Sequence, residues 1–102
     1  MARLGTLGKS KVKLRRWDVV DHLDSDEAIV GYLNAVLEED DPALLMAALG
    51  DVARAKGMTQ VSRDTGLGRE SLYKALSEQG NPEFATVQKV LRSLGLRLRV
   101  SI

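Results

Sequence analysis

The sequence holds no cysteine in its 102 residues, which excludes a disulfide framework, a thiolate metal site and a thiol nucleophile. His22 is the lone histidine, so there is no material for a His-paired serine site, and no role is assigned to it. The longest strongly apolar stretch, Ala43 to Leu49, is far too short to span a bilayer, and the N-terminus has no apolar signal-peptide core. Enzymatic, cofactor-dependent and membrane roles therefore find little support, and a cytoplasmic location is expected.

Charge of one sign is also missing from long stretches. Residues 1 to 16 carry Arg3, Lys9, Lys11, Lys13, Arg15 and Arg16 and no acid, a block of +6. Residues 17 to 53 carry ten acids and no Lys or Arg. Residues 54 to 102 return to a net +5, which brings the whole chain to +1. A polyanion would attract the two ends and be repelled by the middle. With 44% hydrophobic residues the chain supports one domain with a modest core, close to the size at which a second subunit adds needed burial, and a homodimer is expected.

The first 16 residues offer too little apolar surface to fold alone and read as a flexible basic arm. Residues 17 to 102 read as a single helical domain: acidic helices over 17 to 57, further helices over 58 to 95, and a short strand over 96 to 102. Ser25 caps a helix with Asp26 and Glu27 in its first turn and Ile29, Tyr32, Leu33, Val36 and Leu37 at helical spacing. Asp41 caps the next, with Pro42 at its first position and Gly57 closing it after Lys56. Ala43 to Leu49 leave that helix almost no polar face, which makes it the central core element.

Met58 to Leu76, MTQVSRDTGLGRESLYKAL, carries the most information. Thr59 is a suitable N-cap for a helix ending at Thr65, and Gly66 supplies the left-handed backbone of a sharp turn. Leu67 follows as a plug. A second helix from about Arg69 to Ser77 then places Leu72, Ala75 and Leu76 on one face and Arg69, Glu70, Tyr73 and Lys74 on the other. Ser62, four positions before Gly66, and Leu72, six after it, allow two helices to cross closely, the spacing of a helix-turn-helix. A packing corner alone would need the same glycine and anchors. The outward residue types favour DNA: Arg bonds the acceptor edge of guanine, Glu accepts from cytosine, and Tyr and Lys reach bases or phosphates.

Beyond a Gly80-Asn81-Pro82 turn, Phe84, Val87, Val90, Leu91 and Leu94 form an apolar stripe on a helix expected to pack under the second helix of the motif. The tail Leu96-Arg97-Leu98-Arg99-Val100-Ser101-Ile102 changes to period two and predicts a half-buried strand in need of a pairing partner. The expected fold is thus all-α, a five-helix bundle with a helix-turn-helix and a C-terminal β-strand.

The phrases LEEDDPALLMAALGDVARAKGMTQ and TGLGRESLYKALSEQGNPEFATVQKVLRSLGL, within the stretch from Trp17 to Val100, resemble the addiction-module antidote family, HigA-like antitoxins with a phage-repressor type of helix-turn-helix. The resemblance implies an antitoxin that silences a RelE/ParE-type toxin by direct binding and represses its own operon as a dimer on an inverted-repeat operator. Two recognition helices would then enter successive major grooves about 34 Å apart. Arg69, Glu70, Tyr73 and Lys74 are expected to read bases; Thr59, Gln60, Arg63 and Ser71 lie where phosphate contacts are expected. Two departures from the pattern stand out. Gly68 replaces the usual Ser at the start of the second helix, and Gln60 sits two residues closer to the turn glycine than in ordinary phage repressors.

For a basic nuclease toxin, the complementary surface is Asp18, Asp21, Asp24, Asp26 and Glu27, with Trp17 as a candidate anchor. The competing reading is that these acids cap helices and maintain solubility, and that Trp17 is a core contact. Glu38 to Asp41 imply no rigid ligand geometry, and no metal site is expected. The basic arm either adds phosphate or minor-groove contacts or has no role. A phage-like regulator without a toxin, and a neutraliser that has lost DNA binding, are the alternative functions.

Overall fold

The computed structural model describes residues 20–102. The expected basic arm, together with Trp17 and Asp18, lies outside the described residues. After helical residues 20–22 come α1 (Asp26–Leu37), α2 (Pro42–Lys56), α3 (Met58–Thr65), α4 (Arg69–Ala75) and α5 (Phe84–Ser93). The helical residues ahead of α1 are additional to the five helices the periodicity predicts. None of the helices is long and apolar enough to cross a membrane among the described residues.

Side-chain caps fix the starts of the first two helices. Ser25 Oγ accepts from the Ala28 amide at 3.1 Å, while Asp41 Oδ1 accepts from the Ala43 and Leu44 amides at 3.1 and 3.3 Å. Each supplies acceptors for orphan donors of the first turn, worth about 1 kcal/mol per cap. Ile29, Leu33 and Val36 of α1 turn inward at four- and three-residue spacing. In α2, every residue from Ala47 to Ala53 is buried, as expected of a helix surrounded by others. Helix α2 packs against α1, α3 and α4.

Gly57 closes α2 and opens α3, so the two helices are separated by a single residue. Thr59, expected to cap α3, therefore sits inside the helix; Gly57 holds the cap position and offers no side chain. Val61 of α3, Leu72 of α4, Leu76 just beyond it, and Val90 and Leu94 at the end of α5 complete the core around Leu49 and Val52. Gly50 of α2 abuts the backbone carbonyl of Leu76, and a Cβ there would collide with it. This bare flank lets the end of α4 rest directly on the central helix.

Two expectations fail in the C-terminal quarter. The α5 helix makes its main helix contact with α3, and its stripe is incomplete: Val90, Leu91 and Leu94 are buried, but Phe84 is 64% exposed. The predicted strand over 96–102 does not form, and no strand occurs among the described residues. The Gly95 and Leu96 amides donate back to Arg92 and Leu91 carbonyls at 3.0 and 2.9 Å, closing α5. Beyond them Leu98 is half-exposed and Val100 and Ile102 fully so. An alternating pattern supplies side chains for a sheet face, whereas a strand exists only where a neighbour satisfies its N–H and C=O groups. No described segment lies alongside to do so.

Candidate nucleic-acid interface

The corner between α3 and α4 is held from both sides. Gly66 has φ +75° and ψ 10°, left-handed values that cost an ordinary L-residue about 1 to 2 kcal/mol. Ser62 Oγ donates to the Leu67 carbonyl, Thr65 Oγ1 donates to the Val61 carbonyl at 2.8 Å, and the Leu67 amide donates to Thr65 Oγ1 at 3.2 Å. The hydroxyls that complete the turn thus come from α3. The small residue at position 62 has a hydrogen-bonding task as well as the steric one its spacing suggested.

From this corner α4 is pinned by Leu72, which is fully buried, and by Leu76. Pinning one face orients the opposite one. Arg69, Glu70, Ser71, Tyr73 and Lys74 are all exposed, Tyr73 to 41%. Thr59, Gln60 and Arg63 are exposed on α3. The expected DNA-contacting residues are thus all exposed, on two adjoining helices. Gly68 occupies the N-cap of α4, where no side-chain cap bond forms, as its lack of a hydroxyl dictates.

Gln60 is committed within its own helix. Its Nε2 donates to Asp64 Oδ1 at 2.8 Å and its Oε1 accepts from Arg63 Nη1 at 3.3 Å. The side chain bonds along α3 and makes no hydrogen bond to α4. At the far end of α4 lies an open notch that the sequence reading missed. Ser71, Lys74, Ser77, Gln79 and Asn81 surround a cavity of about 470 Å³ between the helix end and the following turn. The Gly-Asn-Pro turn signalled a chain reversal but not that the reversal folds back beside Lys74.

The acidic residues lie on α1 and just ahead of it. Asp21, Asp24, Asp26 and Glu27 are exposed, and Asp26 and Glu27 lie in the first turn of α1, favourable at the positive end of its dipole. Asp26 Oδ1 also receives Lys56 Nζ of α2 at 3.3 Å. Among the described residues no group of three His, Asp or Glu side chains is arranged to hold a metal ion.

One buried acid was read from the sequence only as part of the negative block. Asp51 of α2 has no solvent exposure, accepts from Tyr32 Oη of α1 at 2.9 Å, and is paired with Arg54 one turn along. A carboxylate so placed requires such partners, because burial without them costs several kcal/mol. The signal was available: an aspartate in the middle of an otherwise apolar helix, with a tyrosine on the neighbouring helix's inward stripe. Tyr32 and Asp51 thereby tie α1 to α2 with a directional bond in addition to apolar packing.

Residues 13–102 match a family model described as probable addiction module antidote protein. A protein of Haemophilus influenzae (strain Rd) described as uncharacterized is 53% identical over 88 residues, covering 86% of this chain and 91% of the relative. No solved structure matches the chain.

Proposed function

Because the chain belongs to the family of probable addiction module antidote proteins, we propose that it is an antitoxin which silences a RelE/ParE-type toxin and, as a homodimer, represses its own operon through α3 and α4. It acts by binding and not by catalysis. The observation that carries the DNA part is the outward placement of Arg69, Glu70, Tyr73 and Lys74 on a helix anchored by buried Leu72 behind a glycine corner. Those side chains offer guanidinium, carboxylate, phenol and ammonium groups to base edges and phosphates, while Thr59, Arg63 and Ser71 flank them for phosphate contact. Gln60, already engaged by Asp64 and Arg63, contributes by holding Arg63 in place.

The toxin-facing surface in this reading includes the exposed quartet Asp21, Asp24, Asp26 and Glu27; Trp17 and Asp18, candidates by sequence, lie outside the described residues. A nuclease that grips RNA presents a basic surface, and acids held on a rigid helix start compete with the RNA backbone for it. In this reading the two tasks fall to different elements, the acids on and ahead of α1 and the DNA contacts on α3 and α4. DNA repels the acids and is met by α3 and α4; the toxin meets the acids.

A gel shift with the operon's own promoter over a range of salt concentrations tests the DNA part, and co-purification with the product of the adjacent gene tests the toxin part. Sequence-specific retardation that weakens as salt rises is expected, together with a stable complex with a small basic protein. Retardation equal for promoter and unrelated DNA would remove the repressor role, and a neighbour that does not bind would remove the toxin.

A further inference from the structure

We propose that the outward face of α1, with the notch at its C-terminal end, is the surface that seats the toxin, and that it takes an apolar ridge of a basic protein. The proposal rests on the antitoxin reading above and supplies the docking surface that the acids alone do not define. Helix α1 turns Ile29, Leu33 and Val36 into the core and leaves the opposite side bare. Val30, Gly31, Asn34, Ala35 and Leu37 are all exposed there, Val30 to 44% and Leu37 to 48%. Their spacing of three and four residues places them on one broad face.

Apolar surface continues past the end of the helix. Val36, Leu37, Pro42 and Leu45, together with Asp40 and Asp41, line a notch of about 240 Å³. An apolar cavity of roughly 150 Å³ already accepts a benzene ring, so the notch has room for one apolar side chain. Glycine in a helix interior weakens the helix, and at Gly31 a Cβ would meet nothing within 4 Å, so the fold itself does not ask for a bare backbone. A docked partner does. Beside Gly31 and Ala35 a neighbouring element approaches the α1 backbone more closely than larger side chains would allow.

Charge chooses the occupant. Helix α1 and the turn after it hold Asp26, Glu27, Glu38, Glu39, Asp40 and Asp41 and no base. Of these, only Asp26 is in an ion pair among the described residues, with Lys56. Glu27 and Glu38 stand at the two ends of the exposed face, about 16 Å apart along the axis at the standard rise and about 20° apart around it. A complementary partner therefore carries two basic groups at that separation with apolar side chains between them. A second copy of this face would set acid against acid, and a nucleic acid would be repelled.

The test uses the full chain and the purified product of the adjacent gene, with affinity measured by titration calorimetry at low and high salt. Gly31→Gln is expected to weaken binding by about 30-fold while raising the thermal midpoint of the chain alone, because glutamine is the better helix former. No purely structural role predicts both changes. Leu37→Ala is expected to weaken binding by about 10-fold. Asp40→Asn keeps the left-handed turn at φ +55°, which asparagine adopts readily, and is expected to weaken binding by about 3-fold at low salt and by less at high salt. Lys89→Gln, on the exposed surface of α5, leaves the affinity unchanged.

Equal affinities for the wild type and Gly31→Gln overturn the proposal while leaving the antitoxin reading in place. A wild-type chain that does not bind the gene product removes both. Where Gly31→Gln leaves the affinity unaltered, a changed mass in sedimentation equilibrium assigns the face to a second copy, and a changed salt dependence of the unfolding midpoint assigns it to the basic residues 9–16 of the same chain.

Discussion

Helices α1 and α2 start on side chains, Ser25 and Asp41, that bond the open amides of the first turn; α3, α4 and α5 start on Gly57, Gly68 and Glu83, none of which does. The front pair is long, 12 and 15 residues, and locally specified. The rear helices have 8, 7 and 10 residues and are held by what they touch. A helix that short is marginal in isolation, so α4 owes its existence to Leu72, Leu76 and the corner at Gly66. The difference teaches where stability and recognition reside. The acidic front is the scaffold, and the exposed rear surface is presented on elements the scaffold keeps folded.

If that division holds, the severest damage comes from the joint inside the scaffold. Asp51→Ala is expected to cost about 3 kcal/mol in urea unfolding, because it removes the Tyr32 bond and leaves Arg54 without its partner. Next in size, Arg69→Ala should weaken operator binding by about 2 kcal/mol and relax its sequence preference without shifting the unfolding midpoint. A variant that instead loses stability would mean that α4 is not merely presented but helps hold the scaffold. Ser25→Ala comes third, at about 1 kcal/mol of unfolding free energy, with operator affinity retained. Smallest is Lys56→Ala, which breaks an ion pair whose members are both well exposed. A loss of at most about 0.5 kcal/mol is expected, shrinking further as salt is added.

The same contrast explains what the sequence disclosed. Capping residues, Pro42 and the apolar spacing of Ile29, Leu33 and Val36 encode α1 and α2 locally, and their bounds were legible. Gly66, Ser62 and the anchors at 72 and 76 encode the corner, and with it the outward face of Arg69, Tyr73 and Lys74. Errors gathered where the outcome depends on distant partners. Thr59 was a plausible cap until Gly57 proved to serve as the end of one helix and the start of the next. The tail has the alternation of a strand, but alternation describes the side chains a sheet would bury and not whether another backbone is beside it. The stripe on α5 holds for Val90, Leu91 and Leu94, while Phe84, at the first position of the helix, is exposed.

At position 50 the central helix has no side chain, and the carbonyl of residue 76 occupies the space one would need. Successively larger residues introduced there act as shims of increasing thickness under the base of α4. Alanine, then serine, then valine should tilt the recognition surface by growing amounts while the acids at the start of α1 keep their positions. A single site would then offer a graded means of uncoupling promoter control from toxin capture.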